Sequence, residues 1–421
     1  MKKFLTAILT TLLLTTPAQA LPVQDAVQTA LTNNPSLQRT EQSIRVAEES
    51  LRSARGQKGI SISASGGVNA SKTEAVDGSQ RASAGLSASL PLYTGGRLEA
   101  AIKSAELGIE VAKLDFSQAQ DDLIYQVVTA YVNALENLAT SRVDLEHEKN
   151  LAEHERMIAA QFAAGAKAKI DLLRAQVETS NALQDAARSQ AAYEVALTNL
   201  AALMSTDSIA NLTVEEFDTH MTLGDVEQYL TAAVENRYNL KSDALKIEQG
   251  ELHVTSAKSG WLPSITASVG TDLNANSTSS KRWHPTPDAS AGVSASWNIF
   301  DSGVTRAEVD SAKVEVERLK LAMDSDVDSV NESVVTAHKN LRIALLRLTT
   351  TQRSVELAEE ERFIATERYN AGEGILLDIL DAELALSTAK KNNVSARYDV
   401  IRYSFDLAHA TGDTLNALRS N

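Results

Sequence analysis

The chain has 421 residues, of which 43% are hydrophobic and 23% charged, and its formal charge is −15. An acidic balance of this size disfavours nucleic acid as a partner and suits contact with cations or basic surfaces. Cysteine is absent and aromatics are only 5%, which excludes disulfides, thiolate metal sites and a lipid-bearing N-terminal cysteine, and favours thin helix–helix seams over a bulky core.

The N-terminal stretch MKKFLTAILTTLLLTTPAQA has a basic start (Lys2, Lys3), an apolar run from Phe4 to Leu14 and a small-x-small site at Ala18–Ala20. Residues 1–20 therefore read as a secretory signal cut after Ala20, the run being too short for a membrane anchor. No later apolar run approaches the roughly 18 residues of a membrane helix, so any membrane crossing must use strands.

Residues 22–34 and 35–57 carry apolar positions at helical spacing, from Val23, Val27 and Leu31 to Leu37, Ile44 and Leu51, with Asn34-Pro35 between them. The period then switches to two. In about 60–71, Ile60, Ile62, Ala64 and Val68 alternate with serines, glycines and asparagine; in about 81–92, Ala84, Leu86, Ala88 and Leu90 do the same. Such strands, small and aliphatic on one face and Ser/Gly/Asn on the other, fit an outer-membrane barrel with a wet lumen. A soluble sheet with one buried face is the competing reading, although no other segment offers an apolar surface to cover it.

After Gly95-Gly96 a long helix is expected over about 94–164, on the order of 100 Å at 1.5 Å per residue, with a return helix over 169–204. Its narrow Ala/Leu/Val seam is that of a coiled coil. Gly165 is expected to end the long helix in a left-handed turn. His147 and His154, in a Glu/Lys-rich stretch, have no metal-ligand spacing and read as solvated. No nucleophile–base pair, phosphate loop or zinc cluster is present, so neither enzyme chemistry nor a cofactor is expected.

The chain then repeats itself. Residues 53–65 answer 256–268 at a shift of 203; residues 89–105 (SLPLYTGGRLEAAIKSA) answer 296–312 (SWNIFDSGVTRAEVDSA), and 162–175 answer 369–382, both at a shift of 207. The first copy is 21–204, the linker 205–222, the second copy 223–412 and the tail 413–421. The second copy predicts strands over about 263–274 and 288–300, long helices over about 302–371 and 376–410, and a turn at Gly372. Between its strands, the polar segment 274–288, interrupted by Pro285 and Pro287, reads as a prominent exposed loop, with Trp283 in it and Trp297 in the following strand as candidates for an interfacial aromatic belt. Four strands cannot close a barrel, since the smallest known have about eight, so closure needs several chains.

The order helix, helix, β-hairpin, long helix, glycine turn, return helix, performed twice, resembles the TolC family of outer-membrane efflux proteins, in its unlipidated branch. The residues carrying it are LPLYTGGRLEAAI at 90–102, WNIFDSGVTRAEV at 297–309 and, most specific, RYNAGEGILLDILDAE at 368–383. The resemblance implies a mainly helical α+β chain and a homotrimer with one 12-stranded barrel in outer-membrane lipid. It also implies a helical tunnel in the periplasm, a periplasmic adaptor and an inner-membrane pump of RND, ABC or MFS type, giving a passive duct for efflux or type I secretion.

Residue by residue, Asp378 and Asp381 match paired acids that line the family's entrance constriction. The alternative is that they complement the positive end of a helix. The first copy has Asp171 and Arg174 at the equivalent positions, so only the second can make a double acid ring. Asp171 and Tyr369 match positions that latch neighbouring hairpins, while Gly374 stands where the family commonly has a basic residue. The turns at Gly165 and Gly372 match the places where an adaptor docks. The rival to a duct is a soluble periplasmic coiled-coil scaffold or adaptor.

Overall fold

The computed structural model describes residues 21–73, 76–207, 209, 217, 223–277 and 283–420. The signal read at 1–20 and most of the linker read at 205–222 lie outside them. The first copy contributes α1 (Val23–Asn33), α2 (Pro35–Gly56), β1 (Ser61–Thr73), β2 (Val76–Tyr93), α3 (Arg97–Ala163) and α4 (Lys169–Met204). The second contributes α5 (Val226–Asn236), α6 (Tyr238–Lys258), β3 (Ser264–Ser277), β4 (His284–Ser296), α7 (Val304–Asn370) and α8 (Leu376–Ala410), and the tail forms α9 (Thr414–Ser420). No described helix is long and apolar enough to cross a membrane.

The strands form one antiparallel sheet in the order β1-β2-β3-β4, so the two copies join through the β2–β3 pair. Register keeps like opposite like. Ile62, Ala88, Val269 and Ala291 make one cross-sheet row, and Ser63, Ser87, Gly270 and Ser290 make the next. Neither face is covered: Ile62 is 77% and Val293 67% exposed. On the polar face Ser63 and Ser87 hydroxyls bond at 2.8 Å, and Asp272 stands opposite Asp288, a like-charge pairing that requires water.

The strands run further than their alternation predicts. β2 starts at Val76 and spans 18 residues, and the polar segment 274–288 is largely strand, leaving only 278–283 between β3 and β4. Pro285 and Pro287 sit inside β4. β4 is an edge strand, where a residue with no N–H to donate is tolerated. At its other end β4 stops at Ser296 rather than 300, where the Trp297 indole turns to donate to the Trp261 carbonyl at 3.0 Å.

The chain divides into two compact units that do not follow the copies. One comprises residues 1–35, 120–232 and 333–421, the other 36–119 and 233–332. In the second unit, the helices that follow the sheet start at matching caps. The Leu98 amide donates to Thr94 Oγ1 at 3.4 Å, and the Gly303 and Thr305 amides donate to Asp301 at 2.9 and 2.8 Å. The Thr305 and Gly303 bonds hold the Asp301 carboxyl below its ordinary range.

In the first unit, the buried side chains include Val127, Val128, Tyr131, Val132 and Leu135 of α3, Leu200 of α4, Val334 and Leu341 of α7 and Phe405 of α8. α1 is tied in by Asn34, donating to the Leu203 carbonyl at 3.0 Å, and by the Tyr131 hydroxyl, donating to that of Leu21 at 2.8 Å. The tail docks here as well: Leu418 is buried, and the Thr414 hydroxyl donates to Asp121 at 3.0 Å.

Candidate functional site

Both long helices of the first unit end in the same way. At the α3 end the Gly165 amide donates to the Phe162 carbonyl and the Ala166 amide to that of Gln161; at the α7 end Gly372 donates to Tyr369 and Glu373 to Arg368. Gly165 and Gly372 have φ of 76° and 79°, a left-handed conformation in which a side chain costs energy. These two turns deliver the chain into α4 and α8.

The residues after the turns differ between the copies, and so do their surroundings. Asp378 and Asp381 are both exposed on the first turns of α8, and the Asp378 carboxylate also accepts the Ile375 amide at 3.4 Å. They line an open groove of about 500 Å³ with Glu360, Glu361, Ile364 and Arg368 of α7. Four carboxylates thus share the groove with one guanidinium. Glu360 and Glu361 escape a reading of the motif alone, because they lie about two turns upstream of it on the preceding helix; Arg368 is the motif's first residue.

Tyr369 is buried with Leu151, Ile158, Ala182, Leu376, Ile379 and Leu380, side chains of four helices. Within the chain its hydroxyl donates to Gln161 Oε1 at 3.3 Å, while Asp171 is half-buried in the first turn of α4. Gly374 cannot carry a basic side chain without rearrangement, since a Cβ there would lie 3.0 Å from the Tyr369 amide nitrogen and 3.2 Å from the Arg368 carbonyl carbon. The equivalent first-copy residue, Lys167, supplies the charge instead: its ammonium stands 4.5 Å from the centre of the Tyr369 ring.

His154 and His147 are not solvated. His154 lies 3.7 Å from Glu383, a carboxylate only 3% exposed, which also receives Asn150 at 3.4 Å and Arg362 at 3.5 Å. Burial pushes Glu383 up, but His154, Arg362 and Asn150 outweigh it and hold the carboxyl below its ordinary range. One heptad back, burial lowers His147, whose Nδ1 has no protein partner. The two histidines share a stripe of α3 that faces α8, a partner more than two hundred residues away in sequence.

Further along α8 the same seam continues with Lys390 to Glu146 at 3.0 Å and Lys391 to Asp144 at 3.1 Å. Arg402 bridges Glu136 and Asp399, and His409 meets Asp122 at 2.9 Å. Tyr125 donates to Asp406 at 2.7 Å, and burial together with that carboxylate pushes the phenol up to about 12.

Comparison with known proteins fits this architecture. The family model described as "Outer membrane efflux protein" matches residues 26–206 and 229–413, one stretch in each copy. The outer membrane efflux protein BepC of Brucella suis biovar 1 is 23% identical over 401 residues, 92% of this chain and 84% of that protein. The outer membrane protein TolC of Vibrio cholerae is 23% identical over 392 residues, 90% and 88% of the two chains. Among solved structures, the outer-membrane channel OprN superposes with a TM-score of 0.78 at 20% identity, covering 93% of this chain and 90% of that one.

Proposed function

Since the chain belongs to the outer membrane efflux protein family, we propose that it assembles as a homotrimeric exit duct whose entrance is lined by the second-copy acids. It is an outer-membrane conduit rather than an enzyme. The observation that carries the trimer is the sheet. It is apolar on one face and small and polar on the other, both faces are exposed, and β1 and β4 leave two unpaired edges. Lipid satisfies the apolar face, and only closure with other copies satisfies the edges. A soluble scaffold would have to cover Ile62, Val68, Leu86, Val269 and Val293, all of which are exposed.

At the other functional element, threefold repetition of Asp378 and Asp381 brings six carboxylates to one axis, which favours cations at the entrance. The Gly165 and Gly372 turns are the docking points for a periplasmic adaptor, and an inner-membrane pump supplies the energy. Asp171 and Tyr369 face one another across neighbouring hairpins in this reading, with Gln161 and Lys167 as additional holders of Tyr369. Detergent extraction of isolated outer membranes tests the assembly: a particle of three chains is expected, and recovery as a soluble monomer without detergent would overturn it.

A further inference from the structure

We propose that Glu383 is the positioning residue of this entrance: held by His154, Asn150 and Arg362, it pins the first turns of α8 so that Asp378 and Asp381 face the groove. The inference rests on the entrance reading above. Of the described acids that are buried (Asp121, Asp144, Glu383 and Asp399), Glu383 is the deepest. It lies two residues beyond Asp381, about 200° around the helix, so one turn of α8 shows acids to the groove on one side and anchors itself on the other. Its partners come from two other helices, α3 and α7. Glu383 therefore joins both arms of the second hairpin to the long helix of the first.

A buried carboxylate holds its partners only while it is charged. The groups around it are His154 and Asn150 of α3 and Arg362 of α7; further along the seam stand His147 and Asp144 of α3, Asp185 of α4 and Lys391 of α8. Arg362 stays cationic at any pH of interest, so the tie persists through neutral and mildly acidic conditions. It is lost when a proton reaches Glu383 below the ordinary carboxylate range. Losing it frees the start of α8 from α3 and widens the entrance.

The test is conductance of the reconstituted full-length protein in planar bilayers from pH 8 down to about pH 2.5, below the ordinary carboxylate range. Wild type should conduct evenly through the ordinary carboxylate range and severalfold more below it. Glu383→Gln should conduct at the higher level throughout, without the acid step, and its block by a trivalent cation should be weakened but not abolished, because Asp378 and Asp381 remain but are no longer pinned. Asp378→Asn with Asp381→Asn should lose the block and keep the step. A Glu383→Gln channel with wild-type conductance and an unchanged acid step overturns the proposal.

If Glu383→Gln does not assemble, Arg362→Gln decides: removing one of the holding charges should move the acid step up by about one pH unit, and an unmoved step is equally fatal. Hydrogen exchange separates this inference from the duct reading. Even if no variant conducts, Glu383→Gln should speed exchange over 376–386 by at least about tenfold and leave 264–277 unchanged. Equal exchange over 376–386 in the two proteins counts against Glu383 itself.

Discussion

On the α4 side, Ala175, Ala182, Ala186, Ala196 and Leu200 are all buried, and polar contacts with α3 include Ser141 to Gln190 at 3.2 Å and the Thr179 hydroxyl to the Leu151 carbonyl at 3.4 Å. Toward α8, the same helix presents Asp122, Tyr125, Glu136, Asp144, Glu146, Asn150 and His154 to a matching row of charged and polar partners. The first seam joins neighbours within one copy; the second joins the two copies. Alanines permit close approach of any two helices, whereas charge complementarity discriminates among partners. In a chain written twice, α4 and α8 are near-equivalent competitors for α3, and the charged seam distinguishes them.

The largest effect should come from the apolar seam. Leu200→Ala removes a fully buried side chain and should cost about 2–5 kcal/mol in unfolding experiments, with little dependence on salt. Next is the charged seam. Arg402→Gln leaves Glu136, 20% exposed, without its guanidinium, while Asp399 keeps Arg347; a loss of roughly 3 kcal/mol is expected, the low end for a largely buried pair. If Leu200→Ala were the milder change, the division of labour between the seams would be wrong.

A third test uses pH. Burial lowers His147, so below its ordinary value of about 6.5 the unfolded chain binds the proton more readily than the folded one. Stability should therefore fall as pH drops from 6.5 toward the lowered value, and His147→Gln should flatten that slope in denaturant titrations. Glu383 acts in the same direction at lower pH: its stabilisation is present above the ordinary glutamate range and is lost as pH falls through the lowered value. Smallest of all is the exposed Lys58–Glu99 pair at 2.7 Å. Lys58→Ala should change stability by less than about 0.5 kcal/mol, since solvent screens it.

What could be read from sequence divides along the same line. Alternation in β1–β4, the glycine turns and the long helices are written in local periods. The strand ends were hidden because VDGSQ at 76–80 and HPTPD at 284–288 have loop composition; ladder bonds to neighbouring strands override it. The charged seam was hidden for a different reason, since Asn150 and Glu383 lie 233 residues apart. One signal was available. Leu376, Ile379, Leu380, Glu383, Leu386 and Ser387 keep a three-four spacing, which places a glutamate at a core position of the coiled coil. His147 and His154 are likewise one heptad apart, a repeat that marks a shared stripe rather than a solvated surface.

The exposed acids of the second copy are the reason for assigning the entrance to it, and block of single channels by a trivalent cation reads them directly. Wild-type protein in planar bilayers should be blocked, and Asp378→Asn with Asp381→Asn should weaken that block at least about a hundredfold, the loss of roughly 2.7 kcal/mol of charge interaction. Unchanged block in a conducting double variant would remove Asp378 and Asp381 from the constriction and contradict the account.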